Sequence, residues 1–276
     1  MNAIILRTGK DKAAKHRHPW IFSGAIQEVV GNPINGETIE VLDSKKEFLG
    51  MAAYSPYSQI RARFWSFKKE PINIDFFERR FQFAILKRKD FQKYSQDTAW
   101  GIVHGESDMI PGLIVDQYND VLVIQILSSG IEFHRDIIIS ALKDATGIKN
   151  VYERSDVDVR RLEGLEERNA LVSGVVPEEI IILEGGLKFV VNVATGQKTG
   201  FYLDQRENRK IAANFFEGKE VLNVFSFTGG FSVYAAHHNA KSVMSIDSSS
   251  VAIEIAKNNI LINGLFGTNC EWLVED

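Results

Sequence analysis

Short apolar runs separated by turn residues fill the chain from Ile4 to Phe67. The turn signals are Gly31-Asn32-Pro33, Asn35-Gly36 and Asp43-Ser44-Lys45-Lys46. Apolar runs this short, bounded by glycine, proline and asparagine, are typical of β-strands. The pattern predicts a small β-rich domain over residues 1–69.

The last of these runs alternates charged and aromatic residues. Because side chains alternate across a strand, one face carries Arg61, Arg63, Trp65 and Phe67. Such a face could stack a nucleobase and bind its phosphate. Burial statistics favour the alternative that Trp65 and Phe67 are core residues.

Apolar residues at helical spacing begin at Phe76, directly after Asp75. Aspartate is a common N-cap residue, and the apolar stripe continues to Leu86 with basic residues between. The pattern predicts a connecting helix of about four turns within residues 70–95.

Residues 96–186 mix strand-like and helix-like patterns, which predicts a central α+β domain. The predicted elements are a hairpin of Gly112 to Asp116 and Val121 to Leu127 around the turn Gln117 to Asp120, a helix from Glu132 to Thr146 ended by Gly147, and a strand from Asn150 to Glu153. The carboxylates Glu106, Asp108 and Asp156 lie beside turns, where such groups mostly cap or face solvent. No catalytic role is assigned to them.

The C-terminal quarter alternates buried strands with helices. The predicted strands are Glu220 to Phe225, Ser242 to Asp247 and Asn269 to Val274, with helices over Phe231 to Ala240 and Ser250 to Asn263. A β-α-β-α order is typical of a parallel sheet with crossover helices.

Composition adds size and compartment to this picture. The chain has 276 residues, 45% apolar and 25% charged, which suits two or three folded domains. No stretch approaches the ~18 apolar residues of a membrane span. The single cysteine, Cys270, excludes a disulfide framework or a cysteine-cluster metal site and fits a reducing compartment. The sequence therefore predicts a cytoplasmic protein without membrane contact.

The charge is unevenly distributed along the chain. Residues 1–95 carry 17 lysines and arginines against 10 acidic residues, a net of +7, whereas residues 96–276 carry 15 against 26, a net of −11. A basic segment of this kind is expected where a protein contacts nucleic-acid phosphates. The alternative is a merely solvated surface.

A glycine turn follows the strand that ends at Phe225. Thr228-Gly229-Gly230 lets a ligand approach the backbone at a helix N-terminus. Asp247, at the tip of the next strand, can accept hydrogen bonds from both hydroxyls of a ribose, and Asp276, after the third strand, would lie beside an adenine. Together these residues predict a site for a nucleoside-containing cofactor.

The residues alone leave the cofactor open. A dinucleotide fingerprint requires GxGxxG, but Phe231 and Val233 follow Gly230. S-adenosylmethionine, which has no pyrophosphate, needs only one tight turn. A purely structural βαβ unit is the third alternative.

Longer strings resemble one enzyme family. GQKTGFYLDQRENR (Gly196 to Arg209), VLNVFSFTGGFSVYAA (Val221 to Ala236) and IDSSSVAIEIAKNN closely resemble the RlmI-type ribosomal RNA cytosine-C5 methyltransferases. RHPWIFSGAI (Arg17 to Ile26) is similar to the opening of that family's RNA-binding PUA domain. HGESDMIPGLIVDQY and YERSD are similar to its central domain.

The resemblance implies an α/β protein with a β-rich N-terminal domain. Its parts would be a PUA-like β barrel (1–69), a connecting helix (70–95), a central α+β domain (96–186) and part of a Rossmann-like methyltransferase domain (187–276). S-adenosylmethionine would be the cofactor and ribosomal RNA the partner. The implied RNA contacts are Lys10, Lys12, Lys15, Arg17, Arg61 and Arg63.

The family pattern also implies cofactor residues. In the GQKTGFYLDQR segment they are Phe201, Tyr202, Asp204, Gln205 and Arg206, and in the glycine motif they are Asn223, Phe225, Ser226, Thr228, Gly229 and Gly230, joined by Asp247.

The implied reaction uses a cysteine thiolate that adds to C6 of cytosine and activates C5. The family's catalytic cysteine and Asp-Pro-Pro motif are expected beyond the third strand, so Cys270 is interpreted as a buried structural thiol. We therefore expect this chain to be an N-terminal portion that is inactive alone. With three of seven family strands, it should also show self-association or local disorder at the edge of the Val221 to Phe225 strand.

Overall fold

The structure, a computed structural model, describes residues 2–93 and 95–276. Met1 and Tyr94, which fall in the predicted segments 1–69 and 70–95, lie outside the described residues. The chain forms two compact units. The first consists of residues 1–90 and 101–176, and the second of residues 91–100 and 177–276.

The first unit begins with a six-stranded mixed sheet. Its elements are β1 (Ala3–Leu6), α1 (Lys12–Lys15), β2 (Trp20–Phe22), β3 (Ile26–Val30), β4 (Thr38–Leu42), β5 (Phe48–Tyr54) and β6 (Ile60–Ser66), with strand order β2-β6-β5-β4-β1-β3. One apolar core receives side chains from five of the six strands and from α1, including Ile4, Ile39 and Phe64. The predicted β-rich domain is present, and its strands surround a single core.

The rest of the first unit is built around a second sheet. Its elements are α2 (Ile74–Gln92), β7 (Ala99–His104), β8 (Leu113–Tyr118), β9 (Val121–Ile126), α3 (Ser129–Phe133), α4 (Arg135–Thr146), β10 (Asn150–Ser155), α5 (Val159–Leu162) and β11 (Arg168–Ser173), with strand order β11-β10-β9-β8-β7. The last two residues of α2 and the first two of β7 belong to the second unit. Strands β8 and β9 form the predicted hairpin, and β10 lies parallel to β9.

Two local predictions in this region need correction. The N-terminus of α2 is capped by Asn73, whose Oδ1 accepts from the amide of Phe76 at 3.1 Å, rather than by Asp75. The helix predicted from Glu132 to Thr146 is interrupted at His134 into α3 and α4. Its C-terminus at Gly147 is as predicted, because this glycine takes the left-handed conformation at φ 72° that closes a helix.

The second unit carries a hairpin and a parallel sheet. The hairpin is β12 (Ile180–Glu184) and β13 (Leu187–Val191), followed by α6 (Arg206–Ala213). The sheet contains β14 (Glu220–Val224), α7 (Gly230–His237), β15 (Ser242–Asp247), α8 (Ser250–Ile262) and β16 (Asn269–Val274), in the order β14-β15-β16. All pairings in this sheet are parallel, which confirms the β-α-β-α prediction.

The carboxyl ends of β14 and β15 lie side by side in this sheet, with Val224 paired to Ile246. The chain leaves both strands there, so residues after Val224 and at Asp247 meet at one edge. Leu222 and Val224, which share one face of β14, are exposed. Self-association through this strand stays a prediction. Among the described residues, no helix combines the length and apolar character needed to cross a membrane.

Candidate cofactor site

A cavity of about 370 Å³ opens at the carboxyl ends of β14 and β15. One wall is the turn from Phe225 to Phe231, between β14 and α7. The other wall is the segment from Gln197 to Gln205, which precedes α6. The lining residues are Gln197, Lys198, Phe201, Tyr202, Asp204, Gln205, Arg209, Asn223, Phe225, Ser226, Phe227, Thr228, Gly230, Phe231, Asp247 and Ser248.

The turn after β14 has an unusual backbone. Phe225 and Phe227 have φ values of 57° and 48°, and Gly229 has 73°. Left-handed conformations cost energy for residues with a side chain, and such strain is concentrated at ligand sites. A Cβ at Gly229 would lie 2.8 Å from the Cβ of Ala256. The glycine is therefore required both by its φ and by the close approach of α8.

Asp247 holds this turn in place. Its Oδ2 accepts from the amide of Phe227 at 2.7 Å, and its Oδ1 accepts from the amide of Ser249 at 3.0 Å. Each carboxylate oxygen has two lone pairs, so each retains capacity for another donor. The side chain is 9% exposed and borders the cavity.

Two buried hydroxyl groups in the turn lack a protein partner. Ser226 Oγ and Thr228 Oγ1 have no hydrogen-bond partner among the described residues, although both side chains are buried and both residues line the cavity. Leaving a buried polar group unpaired costs about 1–3 kcal/mol. Such groups mark a place where a ligand supplies the missing hydrogen bonds.

The opposite wall is stabilised by aromatic and charged contacts. The ring of Tyr202 meets that of Phe227 edge-on, with centroids 5.5 Å apart. Lys198 Nζ lies 4.5 Å above the Tyr202 ring and 2.8 Å from Asp204. Partial burial raises the pKa of Asp204, but the hydrogen bond and charge of Lys198 outweigh it, so the net pKa is lowered. Asp204 is accordingly ionised at neutral pH.

Ten of the thirteen predicted cofactor residues line this cavity. The other three are Arg206, Gly229 and Asp276. Arg206 stacks on Trp100, with its guanidinium carbon 4.2 Å from the ring, and pairs with Asp97 at 3.3 Å and with Glu184 at 3.4 Å. Gly229 lies behind the turn against Ala256, and Asp276 is exposed after β16.

Sequence reasoning missed six lining residues: Gln197, Lys198, Arg209, Phe227, Phe231 and Ser248. Each lies within a string already identified or next to a predicted residue. Their closeness in sequence to predicted residues was a signal for the site. Which of the six side chains face the cavity, however, depends on the geometry of the turn.

The predicted RNA contacts divide into exposed and buried residues. Lys10, Lys12, Lys15 and Arg17 are exposed around α1. Arg61 is half-buried, and its guanidinium donates to the carbonyl of Ser55 at 3.2 Å.

Arg63 does not fit the expected phosphate contact. Its guanidinium lies 2.7 Å from Glu163, and the two side chains are 10% and 1% exposed. Trp65 on the same face is also buried and packs on Phe77 and His134. The proposed base-stacking face of β6 is therefore an internal surface of the first unit, and the core alternative for Trp65 is confirmed.

The turn-side carboxylates have structural partners. Glu106 accepts from the indole N–H of Trp20 at 2.6 Å, Asp108 pairs with Arg88 at 2.7 Å, and Asp156 pairs with Arg154 at 3.1 Å.

Cys270 is the second residue of β16. It is paired in register with Val243 and packs against the cluster of Ala235, Ala240 and Val243. Partial burial raises the pKa of its thiol, so the thiol is protonated at neutral pH. The residue does not border the cavity.

Comparisons with known proteins agree with this geometry. A PUA-like domain family matches residues 4–67, and an S-adenosylmethionine-dependent methyltransferase family matches residues 161–273. The ribosomal RNA large subunit methyltransferase I of Aeromonas hydrophila is 46% identical over 277 residues, covering 99% of this chain and 70% of the relative. That of Tolumonas auensis is 45% identical over 276 residues, with coverage of 99% and 70%.

Two solved structures share the whole fold. A candidate S-adenosylmethionine-dependent methyltransferase from Streptococcus mutans superposes with a TM-score of 0.85 at 26% identity, covering 100% of this chain and 71% of that one. A second candidate methyltransferase, solved with S-adenosylhomocysteine, gives 0.87 at 26% identity, with coverage of 100% and 70%.

Proposed function

This chain belongs to the ribosomal RNA large subunit methyltransferase I family, and from that premise we propose that it serves methyl transfer from S-adenosylmethionine to C5 of a cytosine in large-subunit ribosomal RNA. The observation that carries the cofactor part is the pair of unpartnered hydroxyls, Ser226 Oγ and Thr228 Oγ1, beside Asp247. Three polar groups with unused hydrogen-bonding capacity fit a polar nucleoside ligand.

The residues of this chain would bind and orient the cofactor. Asp247 would accept from the ribose hydroxyls through the lone pairs that the amides of Phe227 and Ser249 leave unused. The hydroxyls of Ser226 and Thr228 would form hydrogen bonds with the ligand. The rings of Tyr202 and Phe227 would exclude water from one side of the cavity. When bound, S-adenosylmethionine supplies an electrophilic methyl group on its sulfonium.

The choice of S-adenosylmethionine over a dinucleotide rests on the turn. With Gly229 as the first glycine of a dinucleotide fingerprint, Phe231 and Tyr234 occupy the second and third glycine positions, which leave room for a pyrophosphate and a close helix. Phe231 also lines the cavity. Calorimetric titration of the purified chain with S-adenosylmethionine, S-adenosylhomocysteine and NAD tests this choice. We expect the two adenosyl ligands to bind and NAD to give no signal, and binding of NAD alone would contradict the proposal.

We propose that the exposed cations around α1 bind ribosomal RNA. Lys10, Lys12 and Arg17 are exposed and make no ion pair among the described residues, so their charges are available to phosphates. Binding should weaken with salt, and each lost phosphate contact should reduce the slope of log K against log salt by about 1.

Charge reversal tests this surface. Changing Lys10 and Lys12 to Glu should weaken RNA binding and flatten the salt slope, as measured by fluorescence anisotropy with a ribosomal RNA fragment. Changing Lys188 and Lys219 to Glu is the matched control, since both lysines are exposed, form no ion pair among the described residues and lie in the second unit. Equal weakening by the control would indicate a non-specific charge effect.

A second candidate function is RNA binding without chemistry. The observation that favours it is the position of Cys270, which is protonated, packed in β16 and away from the cavity. Attack on a pyrimidine C6 requires a thiolate. Nucleoside analysis of ribosomal RNA after incubation with labelled S-adenosylmethionine separates the candidates, because 5-methylcytidine supports methyl transfer and unmodified RNA supports binding alone.

A further inference from the structure

A buried ion pair lies directly behind the cofactor cavity. Arg209 Nε donates to Glu184 Oε1 and Arg209 Nη2 donates to Glu184 Oε2, each at 2.7 Å. The two side chains are 2% and 0% exposed. Arg209 borders the cavity, and Glu184, at the end of β12, supports it from behind. This bidentate geometry is the strongest form of a carboxylate–arginine pair.

Arg209 contacts both walls of the cavity. Its Nη2 donates to the carbonyl of Tyr202 at 3.1 Å, and its guanidinium carbon lies 4.8 Å above the ring of Phe201. On the other wall, a Cβ placed on Gly230 would lie 3.2 Å from Arg209 Cδ. A positive charge is therefore fixed where the two walls meet.

The charges around the cavity are almost completely matched. The lining cations are Lys198, paired with Asp204 at 2.8 Å, and Arg209, paired with Glu184. Glu184 also lies 3.4 Å from Arg206, whose charge is matched by Asp97 at 3.3 Å. Asp247 accepts from two backbone amides and forms no ion pair with a cation among the described residues. The cavity thus has an excess of one carboxylate, and it keeps that excess only while Glu184 neutralises Arg209.

The methylated and demethylated forms of the cofactor differ in charge. S-adenosylmethionine has a positively charged sulfonium, whereas S-adenosylhomocysteine has a neutral thioether and is otherwise the same apart from the methyl group. An unneutralised Arg209 would repel the sulfonium and leave the thioether almost unaffected. In a site removed from water, such charge interactions are stronger than at a protein surface.

We propose that Glu184 is a specificity-determining residue, which neutralises Arg209 so that the cavity favours the sulfonium form of the cofactor over the neutral thioether. This inference rests on the proposed cofactor. Glu184 does not border the cavity, so it acts through Arg209 as a positioning and charge-setting residue. The same pair also holds Tyr202 and Phe201 in the wall, which by itself would affect both ligands equally.

Calorimetric titration of the full chain with each ligand separates charge from structure. In Glu184→Gln, the affinity for S-adenosylmethionine should fall about 5- to 30-fold relative to that for S-adenosylhomocysteine, the order expected for one unit charge several ångströms away. In Arg209→Gln, the ratio should move in the opposite direction, because the cluster of Glu184, Arg206 and Asp97 then carries one excess negative charge. The double variant should restore the wild-type ratio.

Two controls keep the test decisive. Glu163→Gln removes the carboxylate of the buried Arg63 pair in the first unit and should lower stability without changing the ratio. Sinefungin, in which a protonated amine takes the place of the sulfonium, should follow S-adenosylmethionine in every variant.

The results that overturn the inference are specific. If Glu184→Gln and Arg209→Gln weaken both ligands by equal factors, the pair is only structural. If Glu184→Gln does not fold, an unchanged ratio in Arg209→Gln overturns the inference by itself. Failure of the wild-type chain to bind either ligand would overturn the proposed cofactor and this inference together, whereas binding with unchanged ratios would overturn this inference alone.

Discussion

Strand β6 and the turn from Phe225 to Gly230 both carry polar and aromatic residues in patterns that indicate ligand binding, but their polar groups are in opposite states. In β6, the Arg63 guanidinium is buried and paired with Glu163 at 2.7 Å. In the turn, the buried hydroxyls of Ser226 and Thr228 have no partner among the described residues. Polar groups that already satisfy each other stabilise the fold, whereas those left unsatisfied are available to a ligand.

The backbone shows the same contrast. Strand β6 is extended chain that pairs with β2 and β5 with one register shift in each pairing, and none of its residues has a positive φ. The turn has left-handed residues at Phe225, Phe227 and Gly229. The turn therefore keeps a strained conformation that Asp247 and the packing of α8 hold in place, and strain of this kind is typical of binding sites.

The largest expected effect is at Gly229. Gly229→Val would place a β-branched side chain at φ 73° and 2.8 Å from the Cβ of Ala256, so the turn must move. We expect S-adenosylhomocysteine affinity, measured by calorimetry, to fall by at least about 100-fold, because a displaced turn moves the hydroxyls of Ser226 and Thr228 away from the ligand, and each unmatched buried group costs about 1–3 kcal/mol.

Gly218→Val provides the matched control, because Gly218 has φ 67° but open space around its Cβ position. It should reduce stability through strain and leave ligand affinity unchanged. Wild-type affinity in Gly229→Val would remove the turn from the site.

Asp247→Ala should have the next largest effect. Two ribose hydroxyl donors would lose their acceptor, and at about 1–3 kcal/mol for each unmatched buried donor the affinity should fall by at least about 30-fold. Asp108→Ala removes a carboxylate that is also buried and also accepts a backbone amide, that of His104, but lies in the first unit. It should change stability and not ligand affinity. If both variants bind S-adenosylhomocysteine equally well, Asp247 is only a structural residue.

The internal surface of the first unit should respond to pH. His134 packs against Trp65, Phe77 and Phe133 and is hydrogen-bonded to Thr38 Oγ1 at 3.1 Å. Burial lowers the pKa of His134 to about 4. The unfolded chain takes up this proton near pH 6.5 and the folded chain only near pH 4, so the stabilisation is present above pH 6.5 and is lost as the pH falls towards 4. The loss amounts to about 3 kcal/mol.

Denaturant unfolding at pH 7 and pH 4.5 measures this loss. His134→Gln keeps a polar group near Thr38 but does not titrate, so its stability should depend less on pH than that of the wild-type chain. Identical pH dependence of the two proteins would show that other groups are responsible.

The smallest expected effect is at Cys270. Because its thiol is packed against Ala235 and Val243 and its pKa is raised, Cys270→Ser should cost only about 1 kcal/mol of stability and leave cofactor affinity unchanged. Any methyl transfer to RNA should also be the same in the two proteins. Loss of transfer in the serine variant, with its cofactor affinity intact, would make Cys270 the nucleophile.

Much of the second unit was predictable because its signals are local. Strand and helix periods, the position of the glycine turn and the tip of β15 at Asp247 all follow from residues within one element or its neighbour. The apolar run predicted from Ser242 to Ile246, ending at Asp247, coincides with β15 (Ser242–Asp247), and ten of the proposed cofactor residues line one cavity.

The sequence by itself thus determined the order of the elements, the parallel sheet and the turn that forms the site, since periodicity and turn residues act over short distances along the chain. Only the tertiary structure decided which charges are paired. Arg63 meets Glu163, and Glu184 meets Arg209, through contacts that no local pattern encodes. The physical reason is that pairing depends on which distant side chains share a buried space, and burial makes an unmatched charge too costly to keep.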